Sequence, residues 1–190
     1  MDAAAMLPPA ANLWNYTKAG VDLVVFSGGK DLKGPQASGL IVGRKTLIDL
    51  LLESAFPKHG YGRFLKVGKE EIIGLYSAIK QYLTLDQEAQ IQNAEDQVKL
   101  ACQMLNTHPG YHALRSYPNE AGQPIPRVLI NLLDQTTDAK TILQYLSHCT
   151  PPIIASPAGH HSLYLNPMTL TQKEMVWICK QLLQYRPPTT

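Results

Sequence analysis

The sequence predicts an α/β fold in two units. Short β-branched runs alternate with helical-period segments along the chain, a polar Gly-rich loop follows directly on one such run, and the organisation changes near Gly68. The 190 residues are 45% hydrophobic and 17% charged, enough apolar material for one large core or two small ones. A net charge of +2 without any Lys/Arg run gives no support for nucleic-acid binding by bulk electrostatics. No run approaches the roughly 18 apolar residues a membrane span needs. Cys102, Cys149 and Cys179 are scattered, with no CxxC, as in a cytoplasmic protein with reduced packing thiols.

The elements read in order as follows. Residues 1–9 start with an Asp inside an apolar run that stops at Pro8-Pro9, like the end of a strand separated from its beginning. Residues 13–19 offer a short helix ended by Gly20. VDLVVF at 21–26 reads as a buried strand. Residues 27–36 form a Gly-rich loop, and GLIVG at 39–43 is a second strand. Residues 44–54 read as a helix whose apolar face is Leu47, Ile48, Leu50, Leu51 and Leu52. Pro57, Gly60, Gly62 and Gly68 punctuate a loop. Two helices follow, at 69–83 and 86–106, and Pro109-Gly110 ends the second. Strands are expected at 111–117, 127–133 and 162–165, and helices at 138–147 and 172–185. The soft boundary near Gly68 divides the chain into 1–68 and 69–190.

The chemistry concentrates in residues 2–43. Asp2 stands at an apolar strand end. Lys30 comes directly after a buried strand, and Ser27 lies three residues before it. Gly28 and Gly29 leave room for a ring to approach the backbone. A cofactor held as a Schiff base needs this set: a reachable lysine, a carboxylate for a ring nitrogen and a donor for a phosphate. A P-loop reading fails, since Asp31 follows Lys30 where a Ser or Thr is required. His160 and His161, taken as strand neighbours, point to opposite faces. They have no acidic or Cys partner at ligand spacing, so no metal site is expected.

The segment VVFSGGKDLKGPQASGLIVGRKTLI resembles the lysine-bearing segment of the selenocysteine-synthase-like (seryl-tRNA selenium transferase-like) branch of the fold type I, aspartate-aminotransferase-like superfamily. The shared features are Ser-Gly-x-Lys, then Gly-Pro-Gln, then a hydrophobic strand ending in Gly. The similarity covers residues 2–83, and beyond it only the layout of a small C-terminal domain matches. The resemblance implies the C-terminal part of a large domain that binds pyridoxal 5′-phosphate (1–68), then a small α/β C-terminal domain with a linking helix (69–190). It implies that Lys30 forms the Schiff base and shuttles the substrate Cα proton. Asp2 would pair with the pyridine nitrogen, and Ser27 would donate to the cofactor phosphate. Arg63 and Lys66 fall in the loop where the selenium transferase faces an anionic donor. Lys66 stands in place of an Arg there and lacks its bidentate fork. Gln36 closes the turn at Pro35.

The implied function is elimination or replacement, or ammonia loss, on a small amino-acid-like or amino-sugar-acid substrate. An aminotransferase of the same fold and a catalytically dead remnant acting as an interaction module are the alternatives. The implied complete enzyme is cytoplasmic and at least a homodimer, with no membrane partner and with tRNA left open. The superfamily's phosphate-gripping loop precedes the Asp, so these residues read as a C-terminal portion.

Overall fold

The computed structural model describes residues 1–134 and 136–186. They divide into two compact units. The first comprises Met1–Gln87 with Ala121–Gln123, and the second comprises the rest.

In the first unit, β1 (Leu23–Ser27) pairs antiparallel with β2 (Gly39–Gly43), with Val25 opposite Ile41. The other edge of β1 takes the first residues in parallel. Val25 N donates to Met1 O at 3.1 Å and Ala3 N to Val25 O at 2.9 Å. The strand expected at 21–26 is found at Leu23–Ser27, and Arg44 N donates to the Asp22 carbonyl at 2.9 Å in register with the ladder just before it. The strand is buried on one face only. Val24 and Phe26 are in the core, whereas Val25 is 42% and Ile41 45% exposed.

Helix α1 (Asn12–Lys18) lays Leu13 on the buried face. Helix α3 (Lys69–Tyr82) lays Leu75 and Tyr82 there, with Leu7 and Leu32. Glu70 and Glu71 in its first turn suit the positive end of the helix dipole. That packing joins α3 to the first unit, beyond the boundary read near Gly68. Helix α2 (Lys45–Ser54) has the apolar spacing the sequence predicts, but none of its residues is buried, and Leu50 is 64% exposed.

The second unit is a four-stranded antiparallel sheet in the order β3-β4-β6-β5 with three helices. These are α4 (Gln87–Leu105), β3 (Tyr111–Ser116), β4 (Arg127–Leu132), α5 (Ala139–Ser147), β5 (Ser156–Gly159), β6 (Ser162–Leu165) and α6 (Gln172–Gln184). Alternating residues of three strands face one core: Ala113, Ile130 and Leu163 share a row, and Val128 pairs with Leu165. Ala101, Leu105, Ile142, Leu146, Met175 and Leu182 from the helices close that face. Strand β5 escapes the sequence reading. Pro157 and Gly159 are poor strand formers, tolerated here because β5 is an edge.

The loop between β1 and β2 folds back on itself. Gly28 N donates to Ser38 O at 2.9 Å and Gly34 N to Gly28 O at 2.8 Å. A Cβ on Gly28 would fall 2.0 Å from Ser38 Oγ and 2.9 Å from Ser38 O. On Gly29 it would fall 2.6 Å from Gln36 Oε1 and 2.8 Å from Gln36 Cα. The expectation that these glycines clear space for a ring is therefore corrected. The space they leave is filled by the returning loop.

Two predictions follow from this packing. Gly28→Ala forces the Ser38 backbone to move and should cost about 1–3 kcal/mol in urea unfolding. In the second unit, the Thr141 side chain and Thr141 N (2.8 Å) donate to the Asp138 carboxylate at the start of α5 and hold its pKa below the usual carboxylate range. The cap's contribution is present above the unfolded carboxylate pKa of about 4 and is lost as pH falls through the lower folded value. Asp138→Asn should flatten that part of the Tm-against-pH curve below about pH 4, measured by circular dichroism.

Candidate functional site

Parallel pairing along β1 decides which groups meet. Side chains alternate along an extended segment, so Ala3 turns into the core at 1% exposure while Asp2 turns out. The Asp2 carboxylate is oriented locally, with Oδ1 accepting from Ala4 N at 2.9 Å. Ser27, at the end of β1, stands beside it. Asp2, Ser27 and Ser38 line one open hollow of 550 Å³, whose floor is Val25 and Phe26. Ser38 Oγ donates to Pro35 O, which holds the loop at the rim.

Lys30 does not line that hollow. It lies three residues beyond Ser27, on the five-residue turn 28–32, and its side chain is exposed. The turn itself is fixed. Leu32 is buried, Lys33 N donates to Lys30 O at 2.9 Å, and Gln36 Nε2 donates to Gly29 O at 3.2 Å. Lys33 takes a φ of 56°, in the left-handed region, to bring the chain round into Gly34. The structure thus brings Asp2 and Ser27 to one surface and sets Lys30 on the turn that continues from it.

Arg63 and Lys66 come together elsewhere in the same unit. Both stand over the Phe56 ring, at 4.8 and 5.0 Å from its centroid, and Arg63 also donates to Pro57 O. They form a paired cationic feature in the loop between α2 and α3. Gln36, read as a turn-closing residue, does close the turn, through the Gly29 carbonyl.

A group the sequence reading missed lies behind the turn. The Tyr82 hydroxyl, at the end of α3, is sealed from solvent and faces the Asp31 carboxylate and the Gln87 amide. Burial first, and Asp31 second, push its pKa far above the ordinary phenol value, so it stays neutral. The Gln87 amide oxygen accepts from Ala10 N at 2.8 Å. Nothing in the spacing of Tyr82 marks it beyond a helical core position, because the groups facing it, Asp31 and Gln87, lie far apart in the chain.

His160 and His161 do not point to opposite faces. They occupy the two-residue connection between β5 and β6, where the alternation of a strand does not apply. Their rings meet, with His160 Nδ1 and His161 Nε2 2.9 Å apart, and His161 Nδ1 lies 3.1 Å from Thr137 O. Among the described residues no group of three His, Cys, Asp or Glu side chains is placed to hold a metal ion. Nor is any described helix long and apolar enough to cross a membrane.

A relative in Streptomyces sp, a 5′-C-glycyluridine monooxygenase-decarboxylase, is 36% identical over 121 residues, which is 63% of this chain and 29% of the relative. The D-glucosaminate-6-phosphate ammonia lyase of Salmonella typhimurium (strain 14028s / SGSC 2262) is 29% identical over 187 residues, 96% of this chain and 47% of the lyase. A solved structure of a D-glucosaminate-6-phosphate ammonia-lyase superposes with a TM-score of 0.72 at 26% identity, over 95% of this chain and 47% of that one. The chain spans less than half the length of each of these relatives. The family model described as SelA, L-seryl-tRNA selenium transferase, matches residues 4–107, more than half of the chain, including the Lys30-bearing loop but not Asp2. On that match, the chain belongs to the L-seryl-tRNA selenium transferase (SelA) family.

Proposed function

We propose that this chain carries the lysine-bearing part of a pyridoxal-phosphate-dependent enzyme. The observation that supports it most directly is the convergence of Asp2 and Ser27 on one open hollow, with β1 running straight on into the Lys30 turn. The donor set fits the cofactor's chemistry: a carboxylate for a ring nitrogen, a hydroxyl for a phosphate and a primary amine for an aldehyde. When bound, the cofactor supplies an electron-withdrawing ring next to the substrate α-carbon.

Each residue then has a role of its own. Asp2 holds a proton at the ring nitrogen. Ser27 Oγ donates to a phosphate oxygen. Lys30 Nζ binds the cofactor and moves the proton at the substrate Cα. Arg63 and Lys66 offer a paired cationic surface for an anionic substrate group. The substrate class is a small amino-acid-like or amino-sugar-acid molecule, and the reaction is elimination, replacement or ammonia loss. Similarity to an ammonia lyase across 96% of this chain favours that class over transamination.

We further propose that the working protein is a cytoplasmic homo-oligomer. Leu50 and Leu52 of α2, with Tyr61, Phe64 and Leu65 of the following loop, are 60–95% exposed. Apolar surface of this extent supports burial against a neighbour. Light scattering at tens of micromolar should therefore give a mass above that of one chain. A strictly monomeric protein that still turns over substrate would refute the oligomer.

The cofactor reading is tested by borohydride reduction with pyridoxal phosphate and peptide mapping. The label should fall selectively on Lys30 and vanish from that peptide in Lys30→Ala. Asp2→Asn and Ser27→Ala should each weaken binding, Ser27→Ala by about tenfold and Asp2→Asn by about ten- to hundredfold. Uniform labelling of all exposed lysines would sink the proposal.

A further inference from the structure

Lys30 is presented by contacts that its neighbours make. On its N-terminal side the Gly29 carbonyl accepts from Gln36 Nε2 at 3.2 Å. Gly29 lies so close to Gln36 that a Cβ there would collide with both its side chain and its Cα. On its C-terminal side Asp31 faces the Tyr82 hydroxyl, which belongs to a side chain only 3% exposed. Gln87 packs on that hydroxyl and is itself tied to Ala10 N. The next residue, Leu32, is 2% exposed and anchors the turn in the core.

We propose that Gln36 is a positioning residue that holds the Lys30 turn from its N-terminal side, against the buried Leu32 foot on the other, and so sets where its amine is presented. The proposal rests on the reading of Lys30 as the cofactor lysine. A lysine side chain has four freely rotating bonds, and the reach of Nζ is therefore decided by where its Cα and flanking peptides are fixed. Gln36 fixes the peptide before Lys30, and the buried Leu32 anchors the turn after it. Neither touches the amine, so both act through the backbone. Gln36 is exposed, and removing its donor leaves the core untouched.

The test compares the wild type with Gln36→Glu, which keeps the shape and removes the donor. Each is reduced with borohydride at limiting pyridoxal phosphate, and the share of label on Lys30 among all lysines is read by peptide mapping. Amide hydrogen exchange over residues 29–33 and Tm are read in parallel. The Lys30 share should fall about fivefold in Gln36→Glu, with faster exchange confined to the turn. Gln36→Glu should do this at unchanged Tm. A selective wild type with an unchanged Lys30 share in Gln36→Glu would overturn the clamp alone. A loss of Tm without a change in that share would do the same. A wild type that labels all lysines alike would overturn both the clamp and the cofactor reading on which it rests.

Discussion

Two backbone hydrogen bonds, Ala3 N to Val25 O and Val25 N to Met1 O, decide where chemistry is available in the first unit. They fix the register of the first residues against β1. In that register Ala3 is inside and Asp2 outside. A slip by one residue would exchange them. It would drive a carboxylate into a core made by Leu7, Val24 and Phe26, at a desolvation cost that no buried cation there offsets. The methyl group of Ala3 is thus a reason why Asp2 faces the same hollow as Ser27. Helix packing reinforces this, since Leu7 and Leu13 cover the buried side of β1 and leave the other side open.

The two units differ in how far they satisfy themselves. In the second unit three strands present alternate residues to one face, and three helices cover it, so the core closes on its own residues. Its helix ends are also served locally. Asp138 caps α5, and Thr171 and Glu174 form a reciprocal capping box at α6. The first unit has a smaller core, a two-stranded sheet with one open face and a helix, α2, with no buried residue. Ten residues of isolated helix are marginal in water. That helix has no buried residue to pack it within the unit, and its Leu-rich sequence has the composition of a covered face.

Most elements were legible because their periodicity is local. The helix expected at 69–83 and the one found at Lys69–Tyr82 differ by one residue, since Ile72, Leu75, Tyr76 and Ile79 repeat at helical spacing. Strand β6 was found where expected for the same reason. Edge strand β5 was not, because its ladder partners sit across a turn and its own residues argue against a strand. The histidine pair was misplaced by treating a connection as a strand. The apolar face of α2 was legible, but an apolar stripe shows only that a helix can be covered, not by which residues. In the candidate site, the order Asp2, Ser27, Lys30 is visible in the sequence, and the structure places Asp2 and Ser27 on one hollow and Lys30 on the turn beyond it. Tyr82 was not legible, because its link to Asp31 and Gln87 spans the chain from residue 31 to residue 87 and leaves no local pattern.

The loop shows why its residues work as a unit. Gly28 is required because Ser38 comes back against it, and Gly29 because Gln36 does. Ser38 can come back because Pro35 and Gly34 turn the chain, with Gly34 N bound to Gly28 O and Ser38 Oγ bound to Pro35 O. Each small residue makes room for a polar one further along, and each polar one fixes the backbone of the small one. A side chain added at Gly28 would not simply fill a gap. It would push the Ser38 backbone, and with it the start of β2, away from β1. Lys30 sits at the top of this closed arrangement, with Leu32 as its buried foot. The glycines before Lys30 therefore act on it indirectly, by allowing the return loop to pack tightly enough to hold a flexible amine on a rigid base.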